Sequence, residues 1–170
     1  MAKIDYTNLI SEPRNNVVTL ISNSSNVSDP STNSSAFRKW IYSRDPSIKS
    51  TSFTGYPFIV IGPARIDTSG AASLDSSKRV IDWTIDIEIA SSDYGYGSSD
   101  GKGLEYNDSI ANDIIKTLLD VTNRKTLTSQ GMSFGKPVVS DVRTESFKQE
   151  MTYRRIITLP FDGNWTKTSA

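Results

Sequence analysis

The chain has 170 residues, of which 36% are hydrophobic, enough for one domain with a substantial core and short of the usual size for two. Its 19 basic and 19 acidic residues cancel, which argues against a general nucleic-acid binder, whose basic excess would attract phosphate. Cysteine and histidine are both absent, so disulfides, thiolate nucleophiles, Ser-His-Asp triads and ordinary zinc or copper sites are excluded, and any catalysis would rest on carboxylates, lysine, tyrosine or serine.

No apolar run approaches the length needed to span a bilayer, and the start, Met-Ala-Lys-Ile-Asp-Tyr, lacks the hydrophobic centre of a signal peptide. The expectation is a protein of the cytoplasm, or of something assembled there. The Asn-x-Ser/Thr triplets at Asn23, Asn26, Asn33, Asn107 and Asn164 then follow from a Ser/Asn-rich composition, not from glycosylation.

Leu9, Ile10, Val17, Leu20 and Ile21 recur at helical spacing, interrupted by Ser11-Glu12-Pro13. Proline is tolerated in the first turn, so a helix is expected to start near Glu12 or Pro13 and end near Ser22, with Tyr6 to Ile10 as a separate helical turn. Residues 22–35 are almost all Ser, Asn, Thr, Asp and Pro and read as a flexible loop. Phe37 to Tyr42 reads as a short strand and Ser43 to Gly55 as loop. Tyr56 to Ile61, bounded by Gly55 and Gly62-Pro63, reads as a buried strand. Residues 64–77 are turn-rich and form the wide end of a hairpin into the next strand.

That strand, Val80 to Ala90, has the clearest pattern in the chain. Ile81, Trp83, Ile85, Ile87 and Ile89 alternate with Asp82, Thr84, Asp86 and Glu88, giving one dry and one wet face. Residues 91–103 form a second flexible loop, rich in glycine and carrying Tyr94, Tyr96 and Lys102. From Leu104 to Val121 the period turns helical. Ile110, Ala111, Ile114, Ile115, Leu118 and Val121 share one arc, with Asn107 or Asp108 as N-cap and Arg124 and Lys125 near the negative end. This helix is expected across the dry face of the sheet. Pro137 to Glu145 reads as a weak strand, a turn falls within 146–150, and Met151 to Phe161 is a second strong strand. There Met151, Tyr153, Ile157, Leu159 and Phe161 share a face with Arg155. Asp162-Gly163-Asn164 is expected to end it, leaving residues 166–170 as a loose tail.

The expected architecture is a single α+β domain over 1–170, a mostly antiparallel or mixed sheet of four to five strands with two helices packed on one face.

Asp82, Asp86 and Glu88 share one strand face at a separation that would suit a carboxylate pair or an oxygen-ligand magnesium site. Amphipathic alternation explains them without either, as a solvated face paired across strands with Arg154. The glycine loop follows a strand and precedes a helix, yet it fails the P-loop spacing. Three residues separate Gly97 from Gly101, and Gly103, not Ser or Thr, follows Lys102. Tyr94 and Tyr96 are rigid contact residues of the kind enriched at interfaces, or loop aromatics folded back on the domain. The Phe37 to Tyr42 run mixes cations and aromatics as single-strand binders do, but alternation splits the set between two faces, which suits an edge strand protected by charge. Arg155 is either a member of a buried ion pair or reaches a subunit boundary.

In order and size the chain resembles the tail terminator proteins of long-tailed bacteriophages. The residues that carry the likeness are Tyr56 to Ile61, Trp83 to Ile89, Asn112 to Asp120 and Met151 to Pro160. The resemblance implies a virion structural protein at the head-proximal end of the tail, assembled in the host cytoplasm. It would form a homo-oligomeric ring, a hexamer in that family, that caps the tail tube, ends its polymerisation and presents a surface to head-completion proteins. It implies no catalysis, no cofactor, no metal, no membrane and no specific nucleic-acid partner. Tyr94, Tyr96 and Lys102 are the expected partner-binding residues. A head-completion or connector protein of the same kind of virion is the alternative, and a carboxylate- or metal-dependent enzyme is the alternative of a different class.

Overall fold

The computed structural model describes residues 4–5, 8–30, 39–47, 55–67, 80–94, 101–147 and 150–166. In chain order the elements are β1 (Ile4–Asp5), α1 (Ser11–Ser22), β2 (Ile41–Tyr42), β3 (Phe58–Ile61), β4 (Arg65–Asp67), β5 (Val80–Ser92), α2 (Gly103–Leu119), α3 (Val121–Ser129), β6 (Met132–Phe134), β7 (Val138–Val139), β8 (Arg143–Phe147) and β9 (Glu150–Thr166). The α+β class is as expected. The described residues hold nine strands and three helices, where four to five strands and two helices were expected. Most of the additional strands are two or three residues long, too short to display a period of two.

The sheet is built on one long antiparallel ladder. β5 pairs with β9 along its whole length, from Val80 opposite Asn164 to Ser92 opposite Thr152. This register sets Trp83 opposite Phe161, Ile85 opposite Leu159 and Ile87 opposite Ile157, so two apolar rows merge into one dry face. β3 flanks β5 on its other side, and the two-residue β2 lies beyond β3 at the end of the path, in the edge position expected for the aromatic-basic run. Phe37 and Arg38 of that run lie outside the described residues.

Two flanking strands are interrupted, and both interruptions serve the dry face. β3 and β4 pair with β5 in registers one residue apart, because Gly62-Pro63-Ala64 places an extra residue opposite β5. Such a bulge reverses the alternation, so Ile66 comes opposite Trp83 just as Ile59 comes opposite Ile89. Along β9, the strands β6, β7 and β8 likewise each advance the register by one residue. The single strand expected from Pro137 to Glu145 is therefore two, split where Ser140 Oγ accepts the N–H of Ile156 at 3.0 Å. Pro160, in the middle of β9, sits at the β6–β7 break. The Gly135 N–H donates to its carbonyl at 2.8 Å on that side, and the missing proline N–H faces the gap where no strand calls for it.

Helices cover the dry face. α1 contributes Val17 and Ile21, and α2 contributes Ile110, Ala111, Ile114 and Leu118 to the same core as Ile85, Ile87, Ile157 and Leu159. Each fully buried isoleucine removes enough apolar surface to stabilise the fold by about 2 kcal/mol. Trp83 stacks on Phe161 with ring centroids 5.4 Å apart, and its indole N–H donates to the Leu9 carbonyl at 2.9 Å, tying the segment before α1 to the sheet.

Four local expectations are corrected. α2 starts at Gly103, so Asn107 is an interior residue and not the N-cap. Leu104–Val121 is not one helix: Asp120 breaks it and caps α3, its Oδ1 accepting the N–H groups of Thr122 and Asn123 at 2.9 and 3.0 Å. Arg124 and Lys125 accordingly lie on α3, and Val121 is exposed. β9 does not end at Asp162-Gly163-Asn164 but runs to Thr166, because Gly163 is the residue that lets the Trp83 ring lie against the strand. Of the loop expected over 22–35, Ser22 belongs to α1, residues 23–30 follow without regular structure, and 31–35 lie outside the described residues. Residues 167–170 also lie outside them.

Candidate functional site

The junction from β5 to α2 carries the partner-binding residues expected from sequence, and it is built from buried polar groups. β5 continues two residues beyond Ala90, so Ser91 and Ser92, expected in a flexible loop, are fully buried strand residues. Ser91 Oγ–H donates to the Gly103 carbonyl at 2.7 Å. Asp93 closes the base of the loop. Its Oδ1 accepts the Gly103 N–H at 3.0 Å, its Oδ2 accepts the Tyr153 hydroxyl at 3.0 Å, and its own N–H donates to the Met151 carbonyl at 3.1 Å. Partial burial pushes the Tyr153 phenol above its ordinary value, and the bond to the Asp93 carboxylate and its charge act in the same direction.

Asn107, one turn into α2, locks this base to the sheet. Its amide nitrogen donates to the Ile89 carbonyl (3.2 Å), Ser91 Oγ (3.2 Å) and the Tyr153 carbonyl (3.1 Å), so one side chain reaches both β5 and β9. Gly103 packs so closely that a Cβ there would stand 2.6 Å from the Ser92 carbonyl carbon and 2.8 Å from Tyr153 Cδ2. The loop therefore springs from a rigid platform.

The ends of the loop are joined where the Gly101 N–H donates to the Asp93 carbonyl at 3.4 Å. That closure brings Tyr94 and Lys102 to one mouth. Tyr94 is half exposed and Lys102 is exposed beside the first turn of α2. Tyr96 lies outside the described residues. Asp93, Asn107 and Tyr153 were not read as functional. A carboxylate placed just before a glycine-rich loop is a weak signal for a loop-closing acceptor, and nothing local marks the other two.

The wet face carries a second set of groups. Arg154 Nη1 donates to Glu88 Oε1 at 2.6 Å and to Asp45 Oδ2 at 2.7 Å, and Glu145 lies 3.8 Å from Nε. Burial opposes the charge on Arg154, but the carboxylates of Glu88 and Asp45 outweigh it and hold the guanidinium protonated. Burial raises the Asp45 carboxyl, yet the hydrogen bonds from Ser47 and Arg154 leave it below its ordinary value. Asp86 accepts from Arg65 at 2.7 Å and from Thr158 at 2.8 Å. The cross-strand pairing expected of the acidic row with Arg154 is thus present for Glu88. Asp82 instead faces Asp162 across the ladder. Among the described residues no three acidic side chains are grouped to hold a metal ion. Arg155 resolves to an ion pair with Asp108 of α2, which pins the helix to the sheet.

Beyond these two regions, the outer side of α3 forms a shallow hollow lined by Val121, Arg124, Lys125, Thr128 and Ser129. Among the described residues, no helix is long and apolar enough to cross a membrane. Compared with known proteins, the chain matches no family model and no curated sequence.

Proposed function

We propose that the chain is a structural protein of a phage virion that assembles as a ring on the end of the tail tube. The ring, six copies in the family the sequence resembles, ends tube polymerisation and offers the head-completion proteins a surface. It works by contact and carries out no reaction.

The observation that supports this reading best is the rigid platform at the junction of β5 and α2. Asp93, Asn107 and Gly103 fix the base, while Tyr94 and Lys102 stand at the mouth. A partner-facing loop on a fixed base keeps its contact residues in place at little ordering cost on binding. The sheet adds to this, because its helices cover one face, while the other carries polar groups beside a small cluster of Tyr42, Phe58, Val60 and Ala90. The enzyme alternative draws less support, since Asp86 and Glu88 are each tied to an arginine and are poor candidates for acid–base work.

The test is tube growth. Added to polymerising tail tube protein, the chain is expected to cap tube ends and shorten the tubes, and the Tyr94→Ala/Lys102→Ala variant is expected to do so weakly. Cross-links to the portal side alone, with tube growth unaffected, would favour a head-completion protein instead. Tubes that grow unchanged, with no chain at their ends, would overturn the terminator reading.

A further inference from the structure

The proposed ring requires each copy to carry two different surfaces that fit one another, and α3 supplies one of them. It buries Leu127 in the core and turns Val121, Arg124, Lys125, Thr128 and Ser129 outward around its hollow. Val121 is 64% exposed and Leu119, just before it, 49%, which makes a small apolar centre beside two cations. Arg124 and Lys125 form no ion pair among the described residues.

The complementary surface lies at the same end of the sheet on its other face. β6 follows α3 and pairs with β9, where Ser133 stands in register with Asp162. Asp162 is opposite Asp82 of β5. Asp82 and Asp162 are exposed, and neither meets a cation among the described residues. Partial burial, and then the charge of Asp82, holds the Asp162 carboxyl above its ordinary value, as expected of like charges set side by side.

We propose that the basic hollow of α3 on one copy docks against the Asp82–Asp162 pair of the next copy of this chain. One patch is on the helical face and the other on the opposite face, so the two cannot meet within a chain. The contact is head to tail and repeats, closing to a ring when the rotation permits and to a filament otherwise. This inference rests on the ring reading and names its joint.

Reciprocal charge reversal tests it, with association followed by sedimentation. Arg124→Glu/Lys125→Glu carries acid on both patches, and Asp82→Lys/Asp162→Lys carries base on both. Each alone is expected to associate about a hundredfold more weakly than the parent chain, because every contact becomes repulsive. Mixed in equal amounts they are expected to recover assembly, alternating around the ring. Circular dichroism checks that both are folded, and if the lysine pair fails this check, Asp82→Asn/Asp162→Asn replaces it with an expected tenfold loss. If the parent forms rings while the folded variants assemble equally well, or the mixture does not recover, this joint is wrong and the ring reading stands. If the parent stays monomeric even with tube ends present, both fall together.

Discussion

Gly163 and Asn107 each hold a place that no other residue type fills as well. Gly163 lies directly against the six-membered ring of Trp83, and an added Cβ would overlap it. Gly163→Ala should displace the Trp83–Phe161 stack and lower stability by about 1–3 kcal/mol, read from the denaturant midpoint. An unchanged midpoint would show that the indole moves aside freely. Asn107→Ala removes the hydrogen bonds that its amide adds to the Ile89 and Tyr153 carbonyls and to Ser91 Oγ, and a loss of about 1–3 kcal/mol is expected by the same measurement. A third prediction concerns Asp162, which faces Asp82 from β5 and the neutral Ser133 from β6. Its carboxyl is raised in the folded state, so its favourable contribution exists at low pH, below the ordinary aspartate value, and is lost as pH rises through the folded value. Asp162→Asn should therefore raise the melting temperature at pH 7 by about 1–2 °C, and the gain should vanish near pH 3. Equal gains at both pH values would show that charge is not the cause.

Elements were legible from sequence in proportion to the regularity of their burial. β5 and β9 alternate over many residues because one face of each packs against helices, and α2 shows its arc because it lies across them. α3 was missed because Leu127 is its one buried residue, which leaves no period to see. β6 is three residues long, and β7 and β8 are separated by a bulge that breaks the alternation. Ser91 and Ser92 have loop composition but strand geometry, since a residue distant in sequence, Asn107, satisfies the polar groups around them. The cross-strand pairing read for the acidic wet face holds with Arg154 for Glu88 alone, Asp86 taking Arg65 instead, whereas Asp45 was invisible, being brought in from a loop by tertiary structure. That loop is clipped to the sheet through Arg154. Asp45 is lowered in the folded state, so its contribution is present above the ordinary aspartate value and is lost as pH falls below it. Asp45→Asn should thus destabilise the chain at pH 7 and have little effect near pH 2, as compared by thermal unfolding. A penalty that persists at pH 2 would assign the effect to packing.

At the scale of the whole molecule, the parts combine into a plate with one face covered by helices and a polar β5–α2 junction at one end. The exposure of Tyr94 and Lys102 was legible from their loop composition, and the buried platform beside them was not, because it depends on contacts between β5, α2 and β9. In the ring proposed above, each copy would present the same fixed surfaces to its neighbours and to a tube beneath. Oligomeric mass tests that account most directly. Light scattering of the purified chain, alone and with tail tube ends, should give a particle of about six times 18.8 kDa in at least the second condition. A mass of 18.8 kDa in both conditions, at every concentration, would contradict it.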